Sequence, residues 1–417
     1  MISIFVLLAV FIMIAVRRIG KYRLQIWQIM VGGAVAVLLT LQISPIAAIR
    51  AINLDVILFL LGVFVIGQAL EESGYLSYLS QRLLGKAKSL DLLLLLVLLG
   101  AGGLAALLMN DTLAIIGTPL MLMIARGNAA SIRSPKLLLL ALAFAVTIGS
   151  VASPIGNPQN LLIAINGNIH NPFLTFLRYL LVPTLVNLAL AYLILRLFYR
   201  RDFGRFPLKY EATTVSDPGL ARLARVSLVV LVCLIIVKVI LVLFSVPFDL
   251  RLTYIALAAA SPIVLFSSKR LGVVKRIDWT TLVFFGAMFI LMQSVWDSNF
   301  FQTIVTGTNR QLTSAGVILG ASVGLSQFIS NVPLVALYLP VLQHAGATTK
   351  ALMALAAGST VAGNFTILGA ASNVIIIQNA EKKGRETLTF WEFVRIGVPL
   401  TALNVAVYAA FLALLPS

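Results

Sequence analysis

Charge is scarce in this chain. Of its 417 residues 11% are charged, and only 14 are acidic, against about 25% charged in a soluble domain. That shortage excludes a water-facing shell around a soluble core. Cysteine is scarcer still: Cys233 stands alone, which excludes an internal disulfide and any multi-thiolate metal site. Histidine occurs twice, at His170 and His344, in segments read as outer loops, and neither is given a role. No metal-ligand cluster and no catalytic triad is in view, and the phosphate-cradling pattern G-x-x-x-x-G-K-[ST] is missing. The chain reads as a non-enzyme without cofactor or metal, and transport by it would draw on an ion gradient.

What the chain has is apolar length. Hydrophobic residues make up 60%, the mean hydropathy is +1.03, and runs such as 26–43, 173–198, 226–244 and 394–415 reach the roughly 20 residues that cross a bilayer. The runs are continuous rather than alternating, which excludes a β-barrel. Spans are predicted over 2–16, 25–43, 54–72, 137–167, 173–199, 225–246, 252–267, 279–296, 350–380 and 393–415, with hairpins over 90–125 and 313–345. The first run has no basic n-region and no small-residue cleavage site, so it is read as a transmembrane helix and not a signal peptide.

A net charge of +17 would suit nucleic acid, but its placement argues against such a partner. Basic residues concentrate in alternate loops, led by Arg17, Arg18, Lys21 and Arg23 after the first span and by Arg196, Arg200, Arg201, Arg205, Lys209, Arg222 and Arg225 in the centre. Six such loops hold 24 of the 31 basic residues, and the opposite loops hold five: Arg50, Arg178, Arg251, Arg310 and Lys350. This is the positive-inside pattern of a multi-pass protein of the cytoplasmic membrane. It holds if each hairpin returns to its starting face, and it puts both termini outside.

The two halves echo each other. "GLAALLMNDTLAIIGTPLML" from Gly103 aligns with "GLSQFISNVPLVALYLPVLQ" from Gly324, an offset of 221. "TIGSVASPIGNPQN" from Thr147 aligns with "TVAGNFTILGAASN" from Thr360, an offset of 213, and "FLRYLLVP" from Phe176 with "FVRIGVP" from Phe393. The expected architecture is an all-α polytopic membrane protein with two inverted-topology repeats, 1–199 and 225–417. A cytoplasmic linker, 200–224, joins them. Each repeat has about five crossings, one of them broken, plus one re-entrant hairpin. Inverted repeats characterise alternating-access transporters, with the substrate held at the repeat interface.

The polar stretch "SPIGNPQN" explains itself on this view. Pro158 removes a backbone donor and pushes Asn157 out of the helical region, and Gly156 permits a tight bend. Non-helical backbone survives in a membrane only where it lines a cavity or is buried in protein. Ser153, Asn157, Gln159 and Asn160 are therefore expected to bind a polar solute, together with Asn364, Thr366 and Asn373 of a softer, proline-free second break. Hairpin tips supply Asn110, Asp111 and Thr112, and Ser330 and Asn331. Arms of about 15 residues, roughly 22 Å, would end near mid-membrane.

Asp111 is the ionisable side chain expected at that depth, a functional position by default. It is assigned to proton or ion coupling, with an alternative reading as an acid at a half-helix N-terminus. Lys238 lies mid-span and either pairs with a carboxylate or snorkels. Glu71, Glu72 and Asp297 read as boundary residues, and Gln327 as either site-facing or packing glue.

In "NDTLAIIGTPL", "SPIGNPQN", "GLSQFISNVP" and "GNFTILGAASN" the chain resembles the ion transporter superfamily. It is similar to its arsenite–antimonite efflux permeases, its sodium–proton antiporters and its citrate-transporter-like anion permeases. The resemblance implies a site built from hairpin tips and broken helices, a scaffold half that can form a homodimer, and, for an arsenite pump, a soluble ATPase partner. Dicarboxylate members carry Ser-Asn-Thr at both tips; Asn110-Asp111-Thr112 and Ser330-Asn331-Val332 depart from it. The expected function is proton-coupled export of arsenite and antimonite. The alternatives are a proton- or sodium-coupled permease for an inorganic anion or carboxylate, and a sodium–proton antiporter.

Overall fold

The computed structural model describes residues 2–16, 18–19, 22–75, 78, 87–128, 135–203, 215–244, 246, 248, 250–299, 314–329, 331–384 and 388–415. The first half runs α1 (Ile2–Val16), a two-residue ribbon of β1 (Arg18–Ile19) and β2 (Tyr22–Arg23), α2 (Ile26–Leu39), α3 (Pro45–Ala51), α4 (Leu54–Glu72), α5 (Leu90–Leu108), α6 (Asn110–Gly127), α7 (Lys136–Ser150), α8 (Pro158–Asn166) and α9 (Pro172–Phe198). The second runs α10 (Pro218–Leu243), α11 (Leu252–Phe266), α12 (Arg270–Arg276), α13 (Trp279–Asp297), α14 (Ala315–Ile329), α15 (Asn331–His344), α16 (Thr349–Val361), α17 (Ala371–Gly384) and α18 (Phe390–Leu414).

The chain folds as an all-helical multi-pass membrane protein. Among the described residues six helices are long and apolar enough to cross a bilayer. Helix starts follow ordinary capping chemistry. Asn53, Ser89, Asp278, Thr348 and Thr389 each accept a backbone N–H three residues on, and proline opens α3, α8 and α9.

Three expectations change in detail. Asp217 caps a helix that begins at Pro218, so residues 218–224 of the expected linker are helical. The first arm of the first hairpin has 19 residues and is itself long enough to cross a bilayer, which an arm of about 15 would not be. The second hairpin has arms of 15 and 14 residues, as expected. Helices α3 and α12, seven residues each, are too short to show as apolar runs and were missed by periodicity.

The packing of one half has a counterpart in the other. α1 packs on α2 as α10 packs on α11, and α5 on α7 as α14 on α16. Across the halves, α4 packs on α11 as α13 packs on α2. Most telling for the site, α6 packs on α17 and α15 on α8: the outgoing arm of each hairpin lies against the broken helix of the opposite half. Small residues permit the closest approaches, as in membrane helix packing generally. A Cβ on Gly149 of α7 would collide with the backbone of Gly102 in α5.

Candidate functional site

The helix opened by α7 stops at Ser150, leaves regular structure over 151–157, and restarts with Pro158 in the first helical position. Asn157 caps the restart: its Oδ1 accepts Asn160 N–H at 2.8 Å. Its Nδ2 donates to Ser150 Oγ at 3.0 Å and to Thr360 Oγ1, in the opposite half, at 3.2 Å. Asn160 Nδ2 collects the carbonyls freed by the break, Ser150 O and Ser153 O at 3.1 Å each and Val151 O at 3.4 Å, and its Oδ1 accepts Thr360 Oγ1. Gln159 Nε2 also reaches Thr360 Oγ1, at 3.3 Å. A Cβ on Gly156 would overlap Ser150 O, so only glycine fits that bend.

The second break is gentler. α16 passes into 3₁₀ turns at Ala362–Asn364 and Ile367–Gly369 before α17 begins. Asn373 Nδ2 donates to Gly363 O at 2.6 Å and Thr366 O at 3.5 Å. These carbonyls are the counterparts, at the offset of 213, of Ser150 O and Ser153 O. Gln327 of the second hairpin donates to Ala362 O at 3.0 Å and accepts from Thr366 Oγ1 at 2.8 Å, so it fastens hairpin to break. Asn364 Nδ2 donates to Asn404 Oδ1 of α18 at 3.1 Å.

The first hairpin turns at Met109, whose φ is +66°. Asn110 N–H donates to Gly156 O at 2.9 Å, which seats this tip on the first break. Asp111 is half-buried in the first turn of α6, a helix N-terminus. Thr112 turns instead toward α4, where a Cβ on Gly67 would touch its methyl. Asn331 opens α15, while Ser330 lies outside the described residues. Asn110 and Asn331, partners at the offset of 221, are 5% and 6% exposed. Each leaves its Oδ1 without a hydrogen-bond donor among the described residues, and so do Asn364 and Asn373.

The structure thus gathers Asn157, Gln159, Asn160 and Thr360 into one network across the halves, holds Asn364, Thr366 and Asn373 around the second break, and docks Asn110 on the first. Asp111 is the one ionisable side chain in the set. Buried Thr360 and Asn404 were not singled out as site residues. The first was visible as the partner of Thr147, and the second as the partner of Asn187 at the offset of 217 that joins Phe176 to Phe393. Asn187 Nδ2 reaches Asn404 O at 3.5 Å, and Tyr408 Oη lies 2.7 Å from Thr184 Oγ1, so α9 and α18 meet through polar groups behind the breaks.

Citrate transporter is the family whose pattern matches residues 8–351. The chain belongs to that family. The relatives it matches align with it over most of their own length. An uncharacterized transporter of Mycobacterium tuberculosis is 28% identical over 99% of this chain and 97% of its own. A silicon efflux transporter of rice (Oryza sativa subsp. japonica) is 26% identical, covering 90% of each. A Dictyostelium discoideum transporter named arsB is 21% identical over 85% of this chain and 81% of its own. Among solved structures, the YdaH transporter of Alcanivorax borkumensis, reported with an unusual topology, superposes with a TM-score of 0.60 at 15% identity, covering 99% of this chain and 96% of that one. The fold is therefore a transporter fold, and this member of the citrate transporter family is a membrane transporter.

Among the described residues, the other charges singled out in the sequence lie at helix ends or in a separate cavity. Lys238, 5% exposed, donates to Leu250 O at 2.7 Å and lines a cavity of about 830 Å³ with Asp55, His170, Arg251 and Thr253. Glu72 meets Arg276 at 3.3 Å, and Asp297 accepts Gln293, both at helix ends, as boundary residues do. Cys233 is exposed on α10.

Proposed function

We propose that this chain is a proton-coupled secondary transporter that exports a small, uncharged, hydroxylated acid across the cytoplasmic membrane, arsenous or antimonous acid foremost. One observation carries the reading: four buried amide oxygens of the candidate site, Asn110 Oδ1, Asn331 Oδ1, Asn364 Oδ1 and Asn373 Oδ1, lack donors among the described residues. A neutral oxyacid brings O–H donors to such oxygens. A carboxylate brings only acceptors and would leave them costly to bury. The rice relative's name concerns silicon efflux and the Dictyostelium relative's name is arsB, both consistent with that class of solute. Asp111 is the coupling carboxyl, taking up and releasing a proton as the site alternates. Repeats 1–199 and 225–417, inverted about the linker, give the two faces of that alternation, and both termini lie outside.

A second reading is a sodium-coupled permease for citrate or a related anion. The family's description favours it, with sodium at the same amide oxygens and the anion at the half-helix N-termini.

Reconstitution in liposomes with an imposed pH gradient separates the two. Arsenite flux that follows the proton gradient, and is abolished in a folded Asp111→Asn variant, is the expected result. Citrate flux that requires sodium, with no arsenite movement, would establish the second reading in its place. Full proton-driven flux in Asp111→Asn would remove Asp111 from coupling.

A further inference from the structure

The cytoplasmic end of α9 carries a recess that the transport reading does not use. Its volume is about 400 Å³, and Leu193, Arg196, Leu197, Arg200 and Phe203 line it. Its depth follows from helix geometry. Arg178 and Arg196 are 18 residues apart on one helix, about 27 Å at 1.5 Å per residue, close to the roughly 30 Å of hydrocarbon they must bracket. Arg196 and Arg200 therefore lie at the headgroup level of the leaflet that the positive-inside count identifies as cytoplasmic. Leu197 and Leu193, about one and two turns deeper than Arg200, are 66% and 56% exposed and face acyl chains.

Of the two basic groups of the recess, Arg196 is held in place. Arg196 is held by Asp91 at 3.0 Å and by Tyr192 Oη at 2.8 Å, and its guanidinium stands 5.7 Å from the centre of the Phe203 ring. This fixes the wall against which Arg200 works. Arg200 itself is exposed and makes no ion pair with a described residue. Apolar wall below, aromatic rim and guanidinium above is the layout that takes a phosphate with its diacylglycerol. The cytoplasmic leaflet supplies such anions at a gain of about 1 kcal/mol per basic residue.

We propose that this recess binds an anionic glycerophospholipid, its phosphate on Arg200 beside Arg196 and an acyl chain along Leu193 and Leu197. The assignment needs only the membrane fold, not the transport reading.

Native mass spectrometry on the full chain, loaded with dioleoylphosphatidylglycerol or dioleoylphosphatidylcholine, tests it. Phosphatidylglycerol should be retained in preference to phosphatidylcholine. Arg200→Gln should lower that occupancy about fivefold, the fold-change that one basic residue contributes. Arg200→Lys should keep most of it, and Arg222→Gln, elsewhere on the same face, should keep all of it. Millimolar inorganic phosphate should not displace the lipid. Wild-type occupancy in Arg200→Gln, an equal loss in Arg222→Gln, or displacement by phosphate would each overturn the proposal.

Discussion

The two broken helices reach similar geometry by different means. The first is self-supporting: Pro158 forbids the helix, Asn157 caps the restart, Gly156 turns the corner, and Asn160 gathers three freed carbonyls. The second has Ala370 where the first has Asn157 and Ala371 where it has Pro158. It keeps Asn373 in the role of Asn160, but relies on groups from elsewhere. Gln327 comes from the hairpin, Asn404 from α18, and Gly397 lets α18 approach so closely that a Cβ would overlap Asn364 O. One break is thus shaped mainly by residues 150–160, with Thr360 as its tie to the other half, and the other leans on α14 and α18. A break held by neighbours can change shape when those neighbours move, whereas one held by proline and a cap travels as a unit.

The comparison can be broken at several points. If α18 shapes the second break, Gly397→Ala should cost as much as Gly156→Ala, about 3 kcal/mol or more each, since backbone would have to give way in both. Thermal unfolding and monodispersity in detergent measure this, and a harmless Gly397→Ala would detach the second break from α18. Next in size, Asn160→Ala should destabilise more than Asn373→Ala, by about 1–2 kcal/mol. It strands more buried carbonyls, whereas Asn373 already leaves its own Oδ1 without a donor. Equal losses would mean that the two asparagines carry equal loads. Smaller again, Asn157→Ala should cost about 1 kcal/mol as a lost cap, and Ala370→Asn should gain a few tenths where the second break lacks one. A loss on introducing that asparagine would show that the softer break opposes a local cap.

The smallest effect touches neither break and serves as a baseline. Asp217 accepts the Leu220 N–H and pairs with Lys269 at 2.6 Å, contacts that hold its carboxyl below the ordinary carboxylate range. A depressed folded-state value means that its stabilisation is present above the unfolded value and disappears as pH falls through the folded one. Asp217→Asn should therefore flatten only the acidic limb of a stability–pH profile, and slightly, because the pair is solvent-screened. A change near neutrality would point to another group.

Much of this was legible from residue order. Span positions followed from apolar length, because lipid leaves backbone no partner but itself. The first break followed from Pro158, and the pairing of halves from three offsets, one of which places Asn160 and Asn373 on equivalent carbonyls. Less local features were harder to read. The seven-residue helices α3 and α12 have too few turns to show a period. The start of α10 was set late because charged residues follow the Asp217 cap. Thr112 was grouped with the tip by sequence adjacency, but in the first turn of a helix adjacent side chains point apart, and Gly67 receives it.

Composition and order alone determined that this chain lives in a bilayer, that it crosses many times, and that polar segments interrupt it in both halves, since each follows from the cost of taking backbone and charge into hydrocarbon. Only the tertiary structure decided which interruptions meet. The crossed packing of α6 on α17 and α15 on α8, and the bonds of Asn157, Gln159 and Asn160 to Thr360 some 200 residues away, depend on helix faces brought together across the fold, and no local pattern specifies a partner at that separation.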